Sequence, residues 1–263
     1  MNTTVWMNEL SWVDYQSRVQ RDQPPVLLPV GALEQHGPHL PLGTDGLLSS
    51  AVAADTAALV GGLVAPTLSY GYKSQPKCGG GQHFCGTTSV DAATLVGQVR
   101  DAVREFARHG LTKLVIVNGH YENQWFLIEG IDLGLRDAKA ADPANRLQVM
   151  RLEYWDFMTP ETLGDVFPDG FPGFALEHAA VLETSMMLHH HPHLVRMDLL
   201  PDDGPADFPP YDMYPPRTDW VPASGVLSSA KGSDAIKGKL LADEVARRMA
   251  EAINTGFTRS NSV

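Results

Sequence analysis

The chain has 263 residues and carries 31 acidic side chains against 20 basic ones, a formal net charge of −11 with its ten histidines neutral. That balance argues against nucleic acid or an anionic membrane as a partner, because both reward clustered Lys and Arg. A hydrophobic content of 43% fits a globular core, and no apolar run approaches the ~18–20 residues that cross a bilayer.

Two cysteines, Cys78 and Cys85, are too few for a disulfide scaffold, and MNTTVWMNELSW has neither the basic nor the apolar region of a signal peptide. A cytoplasmic protein with one domain over residues 1–263 is therefore expected. In chain order, Val26–Val30 reads as a buried strand, Leu47–Leu59 as a helix and Leu63–Pro66 as a weak second strand. The helix Asp91–His109 opens on a capping Asp, repeats apolar residues at Leu95, Val99, Val103 and Phe106, and stops at Gly110. Lys113–Val117 is the clearest strand, followed by Asn118-Gly119, a helix from about Asn123 to Lys139 and a strand at Leu147–Leu152. Beyond it come a loop-rich stretch, Met158 to Ala175, and a helix from Glu177 to His189. The Pro- and Asp-rich segment 201–222 is expected to wrap the surface or a neighbouring subunit, and Ser233–Ile253 reads as a terminal helix. Short apolar runs alternating with amphipathic segments imply an α/β fold, a central, mainly parallel β-sheet flanked by helices in three layers.

Two segments carry the chemistry. Gly31-Ala32-Leu33-Glu34-Gln35-His36-Gly37 leaves the first strand and runs on to Asp45; Asn118-Gly119-His120-Tyr121-Glu122-Asn123 leaves the Lys113–Val117 strand. Each sets an acid and a histidine two positions apart just past the carboxyl end of a strand, the edge where open α/β sheets bind ligands. Two apart in extended backbone, the paired side chains point the same way. Mixed imidazole and carboxylate ligands suit zinc or manganese, and Asp45 could be shared between two ions. Such a pair of ions, ~3.5–4 Å apart, supports amide hydrolysis without a covalent enzyme intermediate. A lone Glu-x-His arises often by chance; two of them, each after a strand and flanked by Gly, favour metal. No nucleophile elbow, P-loop, H-E-x-x-H or Rossmann glycine pattern competes.

LPVGALEQHG with its later Asp45, YGYKSQ, GGGQHFCGTTSVDAATL, NGHYEN, and GFPGFALEH with ETS together resemble the creatininase family of metal-dependent amidohydrolases, from about Val5 to Leu188. The likeness fades across residues 201–222 and returns at Leu227-Ser228-Ser229-Ala230-Lys231. The resemblance implies a homohexamer with two divalent metal ions, zinc or manganese, in each subunit. It places Glu34, His36, Asp45, His120 and Glu122 at ligand positions, Asp45 bridging. Glu122 and Glu177 would order ligands and protons, and His178 would protonate the leaving atom. Tyr121, Trp155, Phe174, Cys78 and Gly119 would line the substrate pocket. The implied reaction opens a small polar ring, creatinine to creatine being the best single candidate. The alternatives are another ring, such as a sugar- or inositol-derived cyclic diketone cleaved at a C–C bond, and a non-catalytic metal-binding assembly protein.

The chain departs from the family pattern at the pocket. Phe174-Ala175 stand where it has a gating tryptophan and an acid, and Cys78 where it has a small hydroxyl residue. Losing a hydrogen-bonding acid should weaken recognition of a guanidine-like ring. The run His189-His190-His191-Pro192-His193 reads as a solvated helix end. Cys78 and Cys85 read as reduced loop thiols, and Gly79–Gly81 as a close backbone approach at an active-site rim or subunit contact.

Overall fold

The computed structural model describes residues 4–259. Four strands, β1 (Val26–Val30), β2 (Leu63–Val64), β3 (Lys113–Asn118) and β4 (Gln148–Glu153), form one parallel sheet in the order β2-β1-β3-β4. Every residue of β1 is buried, which explains its continuous apolar sequence: helices cover both faces of a parallel sheet. Pro29 is tolerated in this strand because its carbonyl accepts from Leu68 N at 3.0 Å, so its missing N–H also faces the side on which β2 has already ended.

The helices are α1 (Trp12–Asp22), α2 (Thr44–Val60), the short α3 (Pro76–Gly79), α4 (Ala92–Arg108), α5 (Gln124–Ala141), α6 (Pro160–Val166), α7 (Val181–His190) and α8 (Ala235–Arg259). On one face α1, α4 and α5 bury a cluster including Val19, Leu95, Val99, Leu127 and Ile116. On the other, α2, α7 and α8 bury Leu48, Val52, Met186, Met187, Leu241 and Met249. The sheet between them makes the third layer, as the alternating pattern implies.

Several boundaries differ from expectation. Helix α2 begins at Thr44, three residues early, where the Thr44 hydroxyl donates to Pro41 O at 2.7 Å; Asp45 thereby enters its first turn. Asp91 holds the position before α4, but its side chain makes no cap and pairs instead with Lys73 Nζ at 2.5 Å. The stretch 158–175 contains α6, capped by Thr159 accepting from Thr162 N. Helix α7 starts at Val181, not Glu177. Ala179 has φ +55°, and the Glu177 and Glu183 carboxylates accept from Leu182 N and Ala179 N at 2.9 and 2.6 Å, so the four residues before Val181 form a polar turn. The histidine run is half-buried rather than solvated, because α7 packs against α2 and brings His190 to within 3.8 Å of Asp55. Segment 201–217 has no regular element; it is fastened by Ala206 N to Leu227 O, by Asp212 to Lys77 and by Asp202 to Lys231.

Candidate active site

Val30, Asn118 and Glu153 lie side by side in the last row of the sheet, so the chains leaving β1, β3 and β4 emerge at one edge. Helix α2 follows β1 on one face and α5 follows β3 on the other, which leaves a crevice between those two strands. Buried amides fix its loops. Asn118 Nδ2 donates to His120 O (2.8 Å), and Asn123 donates to Gly31 O (3.1 Å) while accepting from Tyr72 N (2.8 Å). Gly119 N donates to Val30 O, and a Cβ at Gly119 would strike Asp45 O at 2.5 Å. Gly79 is held still closer, with a Cβ there colliding with Glu34 Oε1; the glycine run therefore belongs to the site's wall.

All five expected ligands converge in this crevice with their side chains buried. His36 Nε2 stands 3.0 Å from Asp45 Oδ1, and His120 Nδ1 is 3.1 Å from Asp45 Oδ2 and 3.2 Å from Glu34 Oε2. Asp45 thus reaches both histidines. The acid–histidine pairs exchange partners, so that Glu34, His120 and Glu122 form one group and His36, Asp45 and Glu183 another; Glu34, His36 and His178 form a third. Glu183 was missed in the sequence. It lies in the quoted ETS run, one turn into α7, where only the fold could bring it to 3.7 Å from His36 Nε2.

The tautomers follow from the outer hydrogen bonds. His36 Nδ1 faces Glu34 O at 3.1 Å and His120 Nε2 faces Tyr72 O at 3.0 Å; a carbonyl only accepts, so these nitrogens carry protons and the other two turn to the carboxylates. Glu34 Oε1, His36 Nε2 and Asp45 Oδ2 are buried with no hydrogen-bond partner. Buried carboxylates without a counter-charge are costly, and divalent cations among these atoms would satisfy them. The donor set fits zinc or manganese.

Electrostatics agree. Burial pushes His36 and His120 down, but Asp45 and Glu183 around the first, and Glu122, Glu34 and Asp45 around the second, outweigh it and hold both well above the ordinary histidine value. Divalent cations bound at these nitrogens would take the place of the protons that the carboxylates otherwise favour. Burial pushes Glu122 up to about 7, against the opposing charge of His120, and Glu177 up to about 8.

The crevice opens into a cavity of about 590 Å³, mouth included, lined by the two ligand loops and by Cys78, Tyr154, Trp155, Met158, Phe174, Ala175 and Glu177. Every expected pocket residue lies on it. Glu177 Oε2 is taken by Leu182 N and its Oε1 has no partner. His178 Nε2 donates to Gln35 O at 2.8 Å; the Gln35 amide, a second residue the sequence reading passed over, donates to Gly79 O and Gly225 O and so ties three loops behind that histidine. At the mouth, Tyr121 is 54% exposed and stands 6.5 Å from the Trp155 ring. Phe174, 39% exposed, packs edge-on against Phe171, which leans on Phe167. Cys85 is exposed, and no metal-holding group among the described residues includes either cysteine or the histidine run.

The Creatininase family model, described as creatinine amidohydrolase, matches residues 8–253. Creatinine amidohydrolase of Pseudomonas putida is 48% identical over 258 residues, 98% of this chain and 99% of that one. Two solved structures are also similar. A manganese creatininase has a TM-score of 0.94 and 48% identity, and a glutamate-to-glutamine creatininase variant complexed with creatine has 0.93 and 47%. Each covers 97% of this chain and 99% of its own.

Proposed function

The chain belongs to the creatininase family, and from that premise we propose that it hydrolyses the ring amide of creatinine to creatine at a centre for two divalent ions, manganese or zinc. The observation that carries this reading is the convergence of Glu34, His36, Asp45, His120 and Glu122 at the floor of a cavity that also exposes Glu177 and His178. When bound, the ions supply Lewis acidity to the carbonyl and ease ionisation of a water. Glu34, His120 and Glu122 would hold one ion and His36 and Glu183 the other, with Asp45 between.

The reaction adds water to the ring carbonyl carbon and breaks the bond from that carbon to the ring nitrogen. Glu122 has Oε1 engaged by Gln75 N at 2.7 Å, leaving Oε2 to take a proton from the water. Glu177 turns its unpartnered Oε1 to the substrate's nitrogens. With His178 Nε2–H committed to Gln35 O and burial holding this imidazole below its ordinary value, Nδ1 is bare at rest; it takes the proton that Glu122 removes from the water and passes it to the departing ring nitrogen. Tyr121 and Trp155 flank the ring, and Gly119 keeps the floor clear of side chain.

The protein acts as a cytoplasmic homohexamer in this reading. Two free cysteines support a reducing compartment, and Trp12, Trp125, Tyr214 and Ile236, all largely exposed, supply apolar surface for subunit contacts. The apolar mouth at Phe174, Ala175 and Cys78 favours, as second reading, another ring on the same centre, a neutral cyclic amide or a cyclic diketone cleaved at a C–C bond. Protein loaded with manganese or zinc and supplied with millimolar creatinine is expected to form creatine. No turnover would remove creatinine as the substrate, and fewer than two metal ions per chain would favour a non-catalytic assembly protein.

A further inference from the structure

Tyr154 follows Glu153 at the carboxyl end of β4 and opens the short turn that carries Trp155. It is 3% exposed, packs in the core with Leu152, Leu182 and Met158, and lines the cavity beside Asp45, Glu177 and Glu183. Trp155 holds its ring edge-on, with centroids 5.2 Å apart. Burial, with the Glu183, Asp45 and Glu177 carboxylates adding to it, holds the phenol well above its ordinary range, so the hydroxyl keeps its proton. Yet the hydroxyl is not one of the sealed polar atoms, so it opens onto the cavity, and it has no hydrogen-bond partner among the described residues. Buried phenols ordinarily find one.

The cavity floor is rich in acceptors, and the Tyr121 and Trp155 donors stand at its mouth. Glu34, Asp45, Glu122, Glu177 and Glu183 present oxygens, and the Gly119 N–H is spent on Val30 O at 2.8 Å. Water addition moves the carbonyl π pair onto oxygen, and a positioned donor at that oxygen is worth most as the charge develops. We propose that the Tyr154 hydroxyl is this donor, bonded to the substrate's carbonyl oxygen and so a catalytic residue of the reaction. The proposal rests on the ring-hydrolase reading above. As water's oxygen bonds to the carbonyl carbon, the negative charge collects on the oxygen that Tyr154 contacts. The pair then returns, the C–N bond breaks, and the nitrogen takes its proton from His178. Tyr154 keeps its own proton throughout.

The test compares wild type with Tyr154→Phe, which keeps the ring and removes only the hydroxyl, both loaded with manganese. Turnover of creatinine is expected to fall ~10²–10³-fold in kcat with KM within about threefold, the size of effect seen when one such donor is removed. Metal content and Tm should be unchanged. Acetohydroxamate, whose oxygens need only the metal centre and a neighbouring donor, is titrated into both proteins by calorimetry and should bind roughly tenfold more weakly to the variant. A kcat within about threefold of wild type, equal acetohydroxamate affinity, or loss of metal in step with activity would overturn the proposal; the last would make Tyr154 a support for Glu183. If wild type turns over no creatinine, the ring-hydrolase reading fails, and the acetohydroxamate comparison still decides whether Tyr154 meets a ligand.

Discussion

The floor and the mouth of the cavity are built by opposite means. At the floor, the loops after β1 and β3 are pinned by buried amides, backbone bonds and glycines that admit no Cβ, and their imidazole and carboxylate side chains are shut away from water. At the mouth, Phe174 and Ala175 sit exposed between Gly173 and a turn, anchored by a chain of aromatic contacts through Phe171 to Phe167. A floor of this kind fixes which reaction is possible, because its atoms have one arrangement. In the reading proposed above, the mouth can change residues without disturbing that arrangement and so would set which ring enters.

Substitutions should separate the two regions. Asp45→Asn, which removes the carboxylate shared by both histidines, should abolish turnover and lower bound metal by at least one ion per chain, measured by elemental analysis. His178→Asn should keep the metal but lower kcat ~10²–10⁴-fold, the usual worth of a positioned acid; full activity would take the proton-delivering role from it. At the mouth, Phe174→Trp with Ala175→Asp should raise kcat/KM for creatinine roughly tenfold by restoring a hydrogen-bonding group, with metal content unchanged. A fall in kcat as deep as that at the floor would break the distinction.

A pH test sharpens it. His36 and His120 are held above the ordinary histidine value by their carboxylates in the metal-free protein, so each ion that binds must displace protons. Metal affinity should therefore keep rising as pH is raised past the ordinary histidine value of about 6.5, with proton release seen as a buffer-dependent enthalpy; affinity independent of pH would mean the two imidazoles are not ligands. The smallest effect is expected from Phe171→Ala, a loss of about 1 kcal/mol of stability from two aromatic contacts, read in a denaturant melt.

The floor was legible in the sequence because its residues lie in two short runs, each just past an apolar strand, and strand ends are where parallel sheets collect ligands. Glu34, His36, His120 and Glu122 needed only that rule, and Asp45 came with the first run. Glu183, Gln35 and Tyr154 did not show. Glu183 lies within a helix and Tyr154 beside Trp155, and they meet the centre only after α7 packs beside α2 and β4 takes its place next to β3; Gln35 sits between two expected ligands, but its partners Gly79 and Gly225 are far from it in sequence. Residues 177–180 were read as helix because their composition allows one, whereas the carboxylates of Glu177 and Glu183 bond the backbone of the turn and delay the first helical residue to Val181. Helix α1 escaped notice because its apolar residues are few, though Ser11 accepting from Asp14 N marks its start.

The most direct test of a two-ion floor is anomalous scattering from crystals grown with manganese. Two peaks per chain are predicted, one among Glu34, His120 and Glu122 and one among His36, Asp45 and Glu183, with Asp45 touching both. A single peak, or peaks away from Asp45, would contradict the account.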